Sequence, residues 1–307
     1  MERRTAVVTG ASRGIGKASA IALAQKGFDV AITARTMSKE DQAPEPSGLS
    51  AEMLPGSLEE TAEIIRSFKV QAFPFYMDLM ERDSLIPTAE AIIDKLGYVD
   101  VLLSNAVYSG PGNYGKFLDN DLDDVADRIF GNITAQMFFL RPILASMVKQ
   151  GSGTLLFMTS AAAYEAPFAM PGKGGWGAAY TVSKGGFHRL AVQLGYEYGD
   201  DGITSLNLQP GLVATERVKI VRGPVENVAS LGVQPEVIGG VVAHIATDVS
   251  EYISVKPFIC KTLLRKLVCY KLASLIPMSC AYSLTVSRNS DLVASYLLPI
   301  ELSMTGM

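Results

Sequence analysis

Histidine is scarce in this 307-residue chain. His188 and His244 are the only two, and two histidines without a third ligand make no metal site. Cysteine is scarce as well. Cys260, Cys269 and Cys280 have neither metal-ligand spacing nor the even count of a disulfide framework. No net positive charge is available for a nucleic-acid partner, since the formal net charge is −4. Long apolar runs are missing too. The longest uncharged stretch, 272–287, contains Ser, Pro and Cys and falls short of the roughly 20 apolar residues a membrane span needs. The N-terminal "MERR" passes directly into the apolar "TAVVT", with no targeting segment, which predicts a cytoplasmic location. What remains is 48% hydrophobic and 19% charged, the balance of a chain that builds a core.

Up to residue 248 short apolar runs alternate with longer amphipathic ones. The runs at 5–9, 29–34, 72–77, 99–104, 153–160 and 203–209 read as strands, and segments such as 16–27 and 235–248 as helices. Near-continuous apolar strands separated by helices indicate a parallel sheet covered on both faces. The prediction is an α/β fold of Rossmann type: a doubly wound parallel sheet in three α/β/α layers, forming a single domain over 1–248. Residues 38–56, rich in Pro, Gly and Ser, read as a loop, and Ser57 followed by Glu60 as a capping box.

The first strand ends in "VVTGASRGIG". Glycines at 10, 14 and 16 permit a tight turn and close backbone approach, while the following helix offers free N–H groups and a positive dipole end to a pyrophosphate. The second strand ends in "ITAR". A free ribose hydroxyl is usually met here by an acid, and a 2′-phosphate by arginine. Arg35, with Arg13 as a second cation, therefore favours NADP over NAD.

These residues resemble the short-chain dehydrogenase/reductase family over roughly residues 3–248. "TGASRGIG" looks like the family's cofactor loop, which implies contacts from Gly10, Ser12, Arg13, Gly14, Ile15 and Gly16. "MDL" places Asp78 and Leu79 where the family meets the adenine. "SNAV" keeps Asn105 and Ala106 of the family's NNAG but ends in Val107. "GNITAQMFF" supplies the helix asparagine as Asn132, "MTS" the serine as Ser160, and "YTVSK" the pair Tyr180 and Lys184. "LQPGLVAT" aligns Val213 and Thr215 with the residues that hold the nicotinamide carboxamide. The resemblance implies an oxidoreductase that interconverts a small carbonyl and an alcohol, and a homo-oligomer.

The chemistry agrees. At i and i+4 on a helix, Tyr180 and Lys184 have Cβ atoms about 5–6 Å apart. An ammonium that close favours phenolate over phenol, so Tyr180 can exchange a proton with the substrate oxygen. Ser160 can donate to the same oxygen. Lys184 would also reach the ribose hydroxyls, and Asn132 would hold a water. Spacing alone identifies nothing, because "YISVK" repeats it at Tyr252 and Lys256. His188 reads as a packed residue, and Asp100, Asp123 and Asp124 as loop or helix-start acids. Between Ser160 and Tyr180 lie more residues than the family usually has, among them Phe168, Met170 and the single tryptophan, Trp176. They predict an apolar substrate pocket.

Residues 249–307 differ from the rest. They hold all three cysteines and six Lys/Arg against three Asp/Glu, a net of +3, whereas the first 248 carry 21 basic and 28 acidic residues, a net of −7. Gly306 is the only glycine after Gly240, so the family's glycine turn before its last strand is missing. "LLRKLVCYKLASLI" reads as a basic amphipathic helix that could lie on a membrane. The favoured reading is different: Val249-Ser250-Glu251 is what GTAAGTGAG encodes, the start of a retained intron. On that reading the sheet ends in an uncovered edge, and the alternative function is a non-catalytic NADP-binding product.

Overall fold

A computed structural model of the chain describes residues 3–41, 54–111, 115–221, 232–248 and 283–286. Six strands run parallel: β1 Thr5–Thr9, β2 Asp29–Ala34, β3 Ala72–Tyr76, β4 Val101–Ser104, β5 Gly153–Met158 and β6 Ile203–Gln209. They lie in the order β3-β2-β1-β4-β5-β6. Every residue of β1, β4 and β5 is buried, as strands covered on both faces must be. Side chains alternate between two cores. Ala6, Val8, Val30, Ile32, Val101 and Leu103 join one, and Val7, Ala31 and Leu102 the other. The order reverses between β1 and β4, which opens a crevice beyond the carboxyl ends of these strands.

The helices are α1 Gly14–Gln25, α2 Leu58–Ser67, α3 Arg82–Leu96, α4 Leu122–Ile129, α5 Ala135–Gln150, α6 Ala178–Tyr198, α7 Glu216–Val221 and α8 Pro235–Thr247. Helices α4 and α5 are joined through a wide π-helical turn, Phe130–Thr134. Helix α1 begins and ends two residues earlier than the sequence pattern predicts. The capping box is half realised. Ser57 Oγ accepts from the Glu60 amide at 3.2 Å, but the Glu60 carboxylate turns away to Lys17 of α1, at 2.6 Å. An ammonium is a stronger partner for a carboxylate than a backbone amide, so the reciprocal half of the motif is lost. The proposed loop acids are structural. Asp100 accepts from the Thr5 amide at 2.7 Å, and Asp123 and Asp124 stand in the first turn of α4 behind the cap Asp121.

Helix α8 crosses α1 closely. A methyl group on Gly239 would lie 2.5 Å from the Ala18 carbonyl oxygen, so the contact admits only glycine. Arg4 adds a hydrogen bond to the Thr247 carbonyl at 3.2 Å.

Of the divergent tail, four residues are described. Ser283–Val286 form a seventh strand, β7, antiparallel to β6, with Gln209 opposite Ser283. The edge that the sequence reading leaves bare therefore carries a short strand, because extended backbone from the tail supplies the missing ladder partners. The second Tyr-x-x-x-Lys match, the three cysteines and the basic amphipathic segment lie outside the described residues, as does 42–53 of the predicted loop.

Candidate active site

The crevice is lined by Gly10, Ala34, Arg35, Asp78, Leu79 and the segment Ala106–Ser109, with an open volume of about 470 Å³. Its floor is a cradle made by missing side chains. Gly10 and Gly14 have φ of +69° and +56°, which an L side chain adopts only under strain. A Cβ on Gly10 would meet the Ala106 Cα at 2.9 Å, and one on Gly16 would collide with the Gly10 carbonyl and crowd Asn105 Nδ2 at 2.7 Å. Asn105 Nδ2 donates to the Thr9 carbonyl at 2.9 Å, tying β4 to the loop after β1. Ser12 is buried in that loop, and Ile15 packs into the first core. Thr215 lies over the loop from the other side, its Cγ2 3.3 Å from where a Gly14 methyl would be. Val213 beside it is buried and bridges to Val233.

Both predicted arginines flank the end of β2. Arg35 lines the crevice with its Nη1 4.0 Å from Asp78 Oδ2. Arg13 Nη2 donates to Thr36 Oγ1 at 3.3 Å and to the Gly56 carbonyl at 3.2 Å. Free backbone amides at the start of α1, a cradle that a Cβ on Gly10 or Gly16 would fill and two guanidiniums at the end of β2 fit a dinucleotide.

The proton-handling candidates gather where β5 meets α6. Lys184, buried on α6, donates from Nζ to the Met158 carbonyl at 3.1 Å, the last residue of β5. Ser160 lies two residues on and caps a short 3₁₀ turn, Ala161–Ala163, by accepting from the Ala162 amide at 3.3 Å. That turn packs against α6, and the Ala163 carbonyl lies 3.6 Å from the Cβ position of Gly185. Tyr180 is partly exposed one turn before Lys184. Asn132 reaches the same helix from the π-helical turn, donating from Nδ2 to Ser183 Oγ at 3.2 Å. Burial lowers the Lys184 ammonium to about 8, which makes its proton easier to release near neutral pH than that of a solvated lysine.

The structure brings all the predicted residues to the carboxyl edge of the sheet in two groups. One surrounds the crevice and the other lies at the junction of β5 with α6. It also reveals residues the pattern hid. Buried Arg128 donates to the carbonyls of Tyr108, Gly110 and Pro111. Buried Gln136 donates to the Ala106 carbonyl at 3.1 Å and accepts from Ser104 Oγ at 3.0 Å. Arg128, Asn132 and Gln136 recur every four residues in the sequence, a spacing that shows a shared face but not its burial. His188, half-buried, contacts Thr159 Oγ1 at 3.3 Å and carries the Tyr164 ring at 5.3 Å, and burial lowers its pKa. The predicted substrate loop holds Phe168 edge-on to Trp176 at 5.2 Å, with Phe168 and Met170 exposed.

The sequence matches the profile described as short chain dehydrogenase over residues 4–224. A 3-oxoacyl-acyl-carrier-protein reductase of Synechocystis is 31% identical over 248 residues, covering 80% of this chain and 90% of the relative. A gluconate 5-dehydrogenase of Gluconobacter oxydans is 30% identical over 211 residues, 69% of this chain and 72% of the relative. Among solved structures, a Beutenbergia cavernae protein assigned as an NAD(P) dependent gluconate 5-dehydrogenase, with bound NADP, superposes with a TM-score of 0.66 at 25% identity. It covers 81% of this chain and 92% of its own. A 3-oxoacyl-acyl-carrier-protein reductase from Brucella melitensis in complex with NAD shares the fold, with a TM-score of 0.66 at 22% identity over 80% and 90% of the two chains.

Proposed function

Because the chain belongs to the short-chain dehydrogenase/reductase family and is an oxidoreductase, we propose that it interconverts a small carbonyl and its alcohol with NADP as the preferred cofactor. The cofactor supplies or accepts the hydride. Gly10, Gly14 and Gly16 let the pyrophosphate approach the start of α1. Arg35 and Arg13 would meet the 2′-phosphate, Asp78 and Leu79 the adenine, and Val213 and Thr215 the carboxamide. Tyr180 gives the proton to the nascent alkoxide or takes it from the alcohol. Ser160 donates to that oxygen as charge develops. Lys184 favours the tyrosinate and holds the ribose, and Asn132 holds a water on the path from Lys184 to solvent. The observation that carries this reading is the bond from Lys184 Nζ to the Met158 carbonyl. It fixes the Tyr180 helix to the strand end that bears Ser160.

The test is NADPH oxidation with a panel of carbonyls. Tyr180→Phe is expected to lower kcat by about a hundred- to ten-thousandfold with NADPH binding retained. A variant that keeps kcat within about twofold, or a wild type that binds NADPH and turns over no carbonyl, sinks the reading. Arg35→Asp is expected to reverse the preference from NADPH toward NADH.

We propose a cytoplasmic location and, from the family, a homo-oligomer. No helix among the described residues is long and apolar enough to cross a membrane. The catalytic domain is read as 1–248, and the segment 249–307, of which Ser283–Val286 pair with β6, as an intron-derived addition. Transcript sequencing across codon 248 decides that point. A locus with no alternative exon encoding a glycine turn and strand rules it out.

A further inference from the structure

We propose that Arg128, Asn132 and Gln136 form a polar ladder that holds segment 104–111 as a fixed wall of the cofactor crevice, with Arg128 the positioning residue for Tyr108 and Asn132. The inference rests on the function proposed above for the crevice and for Asn132.

The three side chains are spaced by four along α4, the π-helical turn and α5, so they lie on one face, and all three are buried. Each meets the same passing segment. Asn132 Oδ1 accepts from the Tyr108 amide at 2.7 Å, and Arg128 Nη1 donates to the Tyr108 carbonyl at 3.2 Å. Both polar backbone groups of one residue are thus gripped by side chains one helical turn apart. Arg128 Nη2 continues to the carbonyls of Gly110 and Pro111. Gln136 closes the other end on Ala106 and Ser104.

The Tyr108 ring is fixed as well as its backbone. The guanidinium carbon of Arg128 is 5.9 Å from the ring centroid. A Cβ on Gly131 would lie 2.6 Å from the Tyr108 Cβ, and one on Gly110 would collide with the ring hydroxyl. Two glycines and a guanidinium therefore leave a slot for this one side chain, which lines the crevice together with Val107 and Ser109. Only a planar fork with five donors serves three carbonyls at once, and a lysine in its place is a point charge with a shorter reach.

The experiment compares wild type with Arg128→Lys. Amide exchange over residues 104–111 and fluorescence titration use NADPH or NADH, whichever wild type binds more tightly. Kinetics with the best carbonyl follow, all at a temperature where both proteins are folded by near-UV circular dichroism. The ladder predicts faster exchange confined to 104–111, a cofactor Kd raised roughly tenfold, and a kcat lowered by a similar factor with the carbonyl KM nearly unchanged. A folded Arg128→Lys protein with wild-type exchange, Kd and kcat overturns it. If Arg128→Lys does not fold, Gly110→Ala decides, because it displaces the Tyr108 ring without removing a ladder member. Unchanged cofactor affinity in that variant rejects the proposal. Arg128→Lys combined with Asn132→Ala should lose less than the product of the single losses, since both grip one peptide, and full multiplicativity counts against a unit. Exchange and binding need no turnover. An inactive wild type would fail the proposed function and still leave the ladder decided.

Discussion

Two loops leave the carboxyl edge of the sheet side by side, after β1 and after β4, and they are held by opposite means. The first, 9–14, is held by what is missing: Gly10 and Gly16 bring backbone against backbone where a methyl would collide, and Gly14 takes a left-handed φ of +56°. The second, 104–111, is held by what is buried: a guanidinium and two carboxamides that satisfy its amides and carbonyls. Glycine closure costs chain entropy but no desolvation, and it leaves the amides free for an anion. Polar closure has a desolvation cost and consumes the loop's own polar groups, so that segment has little left to offer a ligand except side chains. The first loop is suited to binding phosphate and the second to shaping the wall opposite.

Gly16→Ala should separate the two most sharply. In an ordinary helix interior the change gains up to about 1 kcal/mol. Here the new methyl meets the Gly10 carbonyl. The expected outcome is the reverse sign: a loss of several kcal/mol in urea unfolding, typical of strain in a close-packed contact, and NADPH affinity down by at least about a hundredfold. A stabilised variant that still binds NADPH would erase the distinction.

The next effect concerns the polar side of the edge. Burial disfavours the Lys184 ammonium in the folded chain, so the unfolded chain holds that proton more tightly. Stability of the cofactor-free protein should then rise with pH between the folded value of about 8 and the unfolded 10.5. The gain is up to about 3 kcal/mol, and Lys184→Met should remove it from the pH profile of denaturant unfolding. A variant whose slope matches wild type in that window shows that the lysine is not paying a burial penalty.

Gln136→Leu is the mildest change. It fills a similar volume but strands the Ala106 carbonyl and Ser104 Oγ, for a loss of about 1–3 kcal/mol in urea unfolding. Phosphate-loop function, read as NADPH affinity, should move far less than in Gly16→Ala. Equal losses in the two variants would mean the loops are one mechanical unit.

The difference between the loops also explains what was legible in the sequence. Glycine at 10, 14 and 16 after an apolar strand has few other uses, and the strands at 5–9, 29–34 and 203–209 were readable to the residue. Tyr180 and Lys184 were readable only in company, with Ser160, Asn132 and the glycine loop in order. The ladder was not read, because arginine and carboxamides every four residues along a helix ordinarily mark a solvated face. Their burial follows from which segment happens to cross that face, and that is a tertiary fact. The half-formed capping box has the same origin: Lys17, forty-three positions from Glu60 in sequence, outcompetes a local partner. The extra residues between Ser160 and Tyr180 could be marked as unusual, yet nothing local foretold that Trp176 would meet Phe168 edge-on.

The glycine crossing between α1 and α8 has a consequence for synthesis. Helix α1 carries the phosphate loop and leaves the ribosome well before the helix it packs against. The surface that buttresses it, Gly239 with its flanking turn, emerges more than two hundred residues later. Such a long-range contact makes nucleotide capture a late event in folding. A nascent chain stalled before α8 would expose the packed flank of α1. Dinucleotide added during translation should therefore rescue yield only after that helix has been made.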